Sequence, residues 1–255
     1  MPEPCSPCPE QFARTLDLLG PQGFAALQRA RVVVLGLGGV GSHAAGALAR
    51  AGVGRLRLVD FDRVTASGLN RHLVARPDQI GQGKARLLAD HLSAVCPQAE
   101  IEAAELFFHE ESADELLGDA PDYVVDAIDS FTPKAALLRH CVERGLPVVS
   151  SMGASARTDP TLLRIGDLSE TRVCPLARAV RRRLAQQGIR SGIRCIYSVE
   201  APLSPLPPDE DDQVLQRGRV RNRLPSLSYM PGIFGYAAAS VVILALSGHR
   251  PGPER

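Results

Sequence analysis

The sequence predicts an α/β protein: a Rossmann-like, doubly wound and mainly parallel sheet with a C-terminal α/β extension. Three observations carry this reading. Val32-Val33-Val34-Leu35 runs straight into Gly36-x-Gly38-Gly39-x-Gly41 and then into the small-residue segment 42–51, which is the order of a strand, a tight turn and a helix. A second strand at 55–59 ends in Asp60, at the spacing from the glycines where an acidic side chain can accept from ribose hydroxyls. Beyond it, apolar strands alternate with helical segments, as parallel strands joined by crossovers require.

In chain order, residues 1–30 form a helical lead-in that carries Arg14, and 31–60 form the strand–helix–strand unit. Glycines at its turn let the backbone approach a phosphate, and the free N–H groups of the new helix face the anion. A polar loop at 62–83 precedes a helix at 84–95, a strand at 100–104 and a helix at 109–118. Tyr123 to Asp129 is a buried-type strand ending in the carboxylates Asp126 and Asp129. Thr132-Pro133 starts the next helix, to about Arg144, and 147–151 is the following strand. The pattern then changes to a strand at 161–166, a basic helix at 175–187 and a strand at 193–199. Residues 201–222, rich in Pro, Asp and Arg without periodicity, read as a mobile loop. A closing apolar helix spans 232–246. The expected division is therefore 1–30, a nucleotide-binding domain at 31–165, and an extension at 166–249.

Composition narrows the function classes. A net charge of +1 over 255 residues excludes a polyelectrolyte, although of 29 basic residues only Lys84 and Lys134 are lysine. Six cysteines without a small-domain disulfide pattern, behind a proline-rich start lacking the apolar segment of a signal peptide, predict reduced thiols in a cytoplasm. Cys5-x-x-Cys8 has no second pair, so a closed four-ligand zinc site is not indicated. The apolar stretch 233–246 is short for a bilayer, so a buried or subunit-interface helix is expected rather than membrane association.

Residues after Asp60 separate nucleotide chemistries. Asp62, Asn70, Arg71 and Lys84 follow the ribose acid, and two cations there suit a triphosphate better than a nicotinamide groove. Asp129, at another strand end, suits Mg²⁺, a hard cation that takes carboxylate, phosphate and water oxygens. Taken singly, each residue also reads as a helix cap or a solvated charge. Jointly they predict nucleotidyl transfer from ATP with Mg²⁺.

Gly36-x-Gly38-Gly39-x-Gly41, Asp60-Phe61-Asp62, Asn70-Arg71, Gly83-Lys84 and Asp126-Ala127-Ile128-Asp129 together resemble the ThiF/MoeB/HesA adenylyltransferases, relatives of ubiquitin-activating enzymes. Gln11-Phe12-x-Arg14-Thr15, Ser130 with Pro133-Lys134-Ala135-Ala136-Leu137, Asp159-Pro160-Thr161, Cys174-Pro175-Leu176-Ala177-Arg178 and Tyr197-Ser198-x-Glu200 are similar to the tRNA threonylcarbamoyladenosine dehydratase branch, as is Pro231-Gly232-Ile233-Phe234-Gly235 to its closing helix. The resemblance makes 31–165 an ATP-binding adenylyltransferase domain. It implies adenylation of the threonylcarbamoyl carboxylate on an adenosine of tRNA, with loss of pyrophosphate, and then ring closure with loss of AMP. Asp60 would hold ribose, Arg71 and Lys84 the phosphates, Asp129 the Mg²⁺, and Arg14 would reach the γ-phosphate across a homodimer interface. A cysteine desulfurase or sulfur-acceptor system stays open as a partner. The alternative within the superfamily is activation of a ubiquitin-like sulfur-carrier protein.

Two positions depart from the family pattern: Gly68 stands where relatives carry Asn, and His72 where Gln is usual. The stretch Pro225-Ser226-Leu227-Ser228-Tyr229 lacks the cysteine some members carry, which excludes a thioester there. Arg178, Arg181, Arg182 and Arg183, followed by Arg190 and Arg194, are candidate RNA contacts on and after the basic helix; Arg217, Arg219, Arg221 and Arg223 alternate along the loop. A solvated face is the competing reading of both groups.

Overall fold

A computed structural model describes residues 10–118, 120–207 and 223–250. Cys5 and Cys8, and Arg217, Arg219 and Arg221 with most of the loop expected at 201–222, lie outside these residues. In chain order the elements are α1 (Ala13–Arg29), β1 (Arg31–Leu35), α2 (Gly41–Ala51), β2 (Arg55–Val59), α3 (Lys84–Val95), β3 (Glu100–Ala104), α4 (Ala113–Leu117), β4 (Tyr123–Asp126), α5 (Phe131–Glu143), β5 (Val148–Ser151), β6 (Leu163–Asp167), α6 (Pro175–Ala185), β7 (Arg194–Ser198) and α7 (Tyr229–Ser247). The expected helix at 109–118 shrinks to one turn of α4 behind a 3-10 turn at Glu110–Ser112. The strand expected to run to Asp129 stops at Asp126.

The strands form one seven-stranded sheet in the order β3-β2-β1-β4-β5-β7-β6, parallel throughout except for β6 against β7. Residues 166–249, set apart above as an extension, contribute β7 to this same sheet, beside β5. Because side chains alternate across a strand, β1 feeds two cores. Val32 and Val34 pack with α2, α3 and α7 on one face, while Val33 and Leu35 pack with α4, α5 and α6 on the other. β1 lies between β2 and β4, so the crossovers leave it in opposite directions, and the crevice this opens at the strands' C-terminal ends is where such sheets bind ligands.

Small residues in α2 allow close packing: Ala44, Ala45 and Ala49 are fully buried. Helix α7 lies against α2 and also meets α1, β5 and β7. It runs from Tyr229 to Ser247, longer at its start than the apolar stretch suggested, because Pro231 sits in the first turn, where its missing N–H costs nothing. Among the described residues α7 alone is long and apolar enough to cross a membrane by length and composition, and 44 % of that apolar window is buried within the protein.

Candidate active site

The turn after β1 is built by steric necessity. Gly36 has φ +84°, and a Cβ there would lie 2.7 Å from the Ala127 carbonyl oxygen and 2.9 Å from the Ile128 nitrogen. Only glycine lets the β1 turn and the loop after β4 touch. Gly38 has open space around it, whereas Gly39 is covered by Pro231 of α7 and by the Arg71 side-chain stem. The amide of Gly36 bonds the Val59 carbonyl at 2.9 Å and that of Ala127 bonds the Leu35 carbonyl at 2.8 Å, which locks three strand ends together.

Asp60 braces this turn from behind. It is 7 % exposed; one carboxylate oxygen accepts from the Leu37 amide at 2.6 Å and the other from the Asp62 amide at 2.8 Å. Burial raises its pKa, opposed by the nearby Lys84 charge and by these two amides. Two lone-pair positions remain for a ribose hydroxyl. The loop that follows folds back as a closed ribbon: Val64 and Gly81 bond Gln82 and Val64, and the Lys84 amide bonds the Asp62 carbonyl at 2.9 Å. This return places Lys84 at the first position of α3, with its Nζ 2.9 Å from Asp62 Oδ2 and both side chains partly exposed.

Gly38, Gly39, Arg71 and Lys84 thus converge on one concavity, completed by Val64, Thr65, Gly68 and His72, with about 320 Å³ of space open to solvent. Arg71 donates to the Ser67 carbonyl at 2.7 Å and to Asn70 Oδ1 at 3.1 Å, and Asn70 donates to the Ser226 carbonyl at 3.2 Å. His72 lines the cavity although the sequence marked it only as a departure. Its Nδ1 accepts from the amides of Val74 and Ala75 at 3.3 and 3.2 Å, which leaves the ring proton on Nε2. Burial lowers its pKa to about 4, helped by the Lys84 charge. Gly68 lines the same cavity.

Asp129 stands apart from that lining, exposed in the loop that abuts Gly36 and accepting from Ser130 Oγ at 3.2 Å. Among the described residues no three His, Cys, Asp or Glu gather as a metal cage. An exposed carboxylate on the loop that abuts the glycine turn nevertheless fits Mg²⁺, which is commonly held by one or two carboxylates plus phosphates and water. The neighbouring Asp126 has a different task. It is fully buried, with Lys134 Nζ at 2.6 Å and Ser150 Oγ donating at 2.6 Å; Lys134 also donates to Ser150 Oγ at 3.2 Å and to the Ser151 carbonyl at 3.0 Å. All three ammonium protons are therefore used inside the core, so Lys134 is no phosphate ligand.

Arg14 is exposed in the first turn of α1. Phe12, just before it, packs on Phe24 with ring centroids 5.6 Å apart, and Phe24 lies against Gly52 at the far end of α2 from the glycine turn. An 11-residue helix is about 16 Å long, so Arg14 sits away from its own chain's cavity. On α6, Arg178, Arg182 and Arg183 are exposed, while Arg181 is half-buried and donates to the carbonyl and hydroxyl of Thr171. One Nη of Arg181 is thus committed to the fold, whereas Arg178, Arg182 and Arg183 face solvent.

The ThiF family profile matches residues 12–255. The chain belongs to the ThiF family. It is 42 % identical over 193 residues to the tRNA threonylcarbamoyladenosine dehydratase of Bacillus subtilis, with 76 % of each chain covered. It is 39 % identical to the tRNA threonylcarbamoyladenosine dehydratase 2 of Saccharomyces cerevisiae, of whose length it spans 58 %. Among solved structures it matches the E. coli tRNA N6-threonylcarbamoyladenosine dehydratase in complex with AMP, with a TM-score of 0.83, 31 % identity, and 93 % and 94 % of the two chains covered. In this ThiF chain the glycine turn, Arg71 and Lys84 were legible from sequence. The contributions of Thr65, His72 and Pro231 to the cavity and its turn were not, because the long loop and the closing helix meet the turn only in the folded protein.

Proposed function

We propose that the protein is an ATP-dependent tRNA threonylcarbamoyladenosine dehydratase. The observation that carries this reading is the convergence of the open glycine turn, Arg71 and Lys84 on one concavity, in a ThiF chain whose similarity to dehydratases extends beyond the nucleotide-binding segment. The threonylcarbamoyl carboxylate attacks the α-phosphorus of ATP and pyrophosphate departs; ring closure then expels AMP. Arg71 and Lys84 offset the charge of the phosphates during transfer. Asp60 holds the ribose and Asn70, with Asp62, fixes the two cations. Asp129 would hold Mg²⁺, whose chemistry is to neutralise the triphosphate. We place the reaction in the cytoplasm, on a homodimer in which Arg14 of each chain serves the partner's site. A cysteine desulfurase or sulfur-acceptor system is a further proposed partner.

Sulfur-carrier activation is less favoured, because the similarity to the dehydratases runs on through β7 and α7 instead of stopping with the nucleotide-binding segment. The test mixes the purified protein with ATP and tRNA bearing threonylcarbamoyladenosine, and follows pyrophosphate and the cyclised nucleoside. Lys84→Ala and Asp129→Ala should each abolish pyrophosphate release with an unchanged melting curve. Release that depends instead on a small carrier protein ending in Gly-Gly would overturn the reading.

A further inference from the structure

A second concavity, with about 490 Å³ of space open to solvent, lies where the first turn of α5 meets the C-terminal end of α6. Phe131 and Thr132 line it from α5, Arg183 and Gln187 from and just after α6, and Glu110 from the turn before α4. Phe131 is 40 % exposed, so part of its ring is open to the groove. It follows Asp129 by two residues, so their Cα atoms are at most about 7 Å apart. This groove therefore opens beside the loop that touches the glycine turn.

One cation in the groove has no ion pair. Glu110 is paired with Arg139, Oε1 to Nη2 at 2.6 Å, and Arg139 also reaches Glu143 at 3.8 Å. Arg183 is exposed and has no carboxylate partner among the described residues, and Arg178 and Arg182 continue the exposed positive surface along the helix. A part-exposed aromatic ring beside an exposed guanidinium that makes no ion pair matches one nucleotide of single-stranded RNA, whose base stacks while its phosphate takes the cation. We infer that this groove holds a nucleotide neighbouring the reacting adenosine, with its base on Phe131 and a phosphate on Arg183. Thr132 and Gln187 add hydrogen-bonding groups along the same wall. The inference rests on the tRNA reading above.

The test titrates an anticodon stem-loop RNA carrying threonylcarbamoyladenosine into wild type, Phe131→Ala, Phe131→Leu and Arg183→Ala over a range of salt, with melting curves to verify folding. Phe131→Ala should weaken binding by about ten-fold at every salt concentration, as loss of one base stack does, leaving the salt slope unchanged. Phe131→Leu, which keeps apolar bulk without the aromatic face, should share that loss. Arg183→Ala should make the log–log slope shallower by about one unit. If wild type cyclises tRNA while all three variants bind RNA as wild type does, the groove assignment is overturned and the dehydratase reading stands. If wild type consumes ATP without cyclising tRNA, the dehydratase reading falls and takes this assignment with it.

Discussion

His72 occupies a position where burial and the Lys84 charge both oppose protonation. Its pKa of about 4 lies below the 6.5 of an exposed histidine, and the sign of the consequence follows. Above pH 6.5 the imidazole is neutral in both folded and unfolded chains and contributes no pH dependence. As pH falls from 6.5 towards 4, the unfolded chain binds a proton that the folded one refuses, and stability drops by about 3 kcal/mol. Urea unfolding of wild type and His72→Gln between pH 7 and 4 measures this directly: the variant should lose that part of the slope, while the opposing contribution of Asp60 cancels in the comparison. Lys134 is the second decisive residue. Lys134→Met should cost about 3–5 kcal/mol, since it strands the fully buried Asp126 carboxylate, and a lower melting temperature with no change in the ATP dissociation constant per folded molecule would separate this from a role in phosphate binding. Sequence alone marked Lys134 and Lys84 as a pair. Only the fold divides them, because the strand period does not reveal that Asp126 turns inward while Asp129, three residues on, stays at the rim.

At the scale of elements, the parallel strands and most helices were legible because β-branched runs and glycine turns are local signals. The shortened α4 and the earlier start of α7 were not, since both ends are set by tertiary packing rather than by propensity. The α2–α7 contact shows how such packing reaches the site. A Cβ on Gly235 would meet the Val40 carbonyl, would lie 2.9 Å from His43 Cβ and would stand 3.0 Å from the Ala44 nitrogen, all on the first turn of the helix that begins at the glycine motif. His43 in turn bonds the Gly39 carbonyl at 2.7 Å and meets Tyr236 edge-on at 5.7 Å. Gly235→Ala should therefore cost about 1–3 kcal/mol by overpacking and weaken ATP binding along with stability. Calorimetric titration against ATP checks the second half; unchanged affinity would mean that the turn is insulated from its supporting helix.

For the whole molecule, the position of Arg14 at the far end of α2 makes the assembly the object to test. Arg14→Ala and Lys84→Ala chains, each inactive alone, should regain part of the pyrophosphate release when mixed and allowed to exchange subunits, because a mixed dimer contains one site with both residues intact. No recovery from a mixture shown by light scattering to be dimeric would confine Arg14 to a structural role. The topology carries one more consequence, for the order of assembly. β1 is synthesised early, yet its neighbour β4 lies about 90 residues downstream, and the turn that follows β1 is covered by Pro231, later still. Contacts so distant in sequence fold slowly. A nascent chain emerging from the ribosome therefore displays the turn after β1 well before α7 can brace it, so the turn is expected to reach its final shape only after α7 has been made.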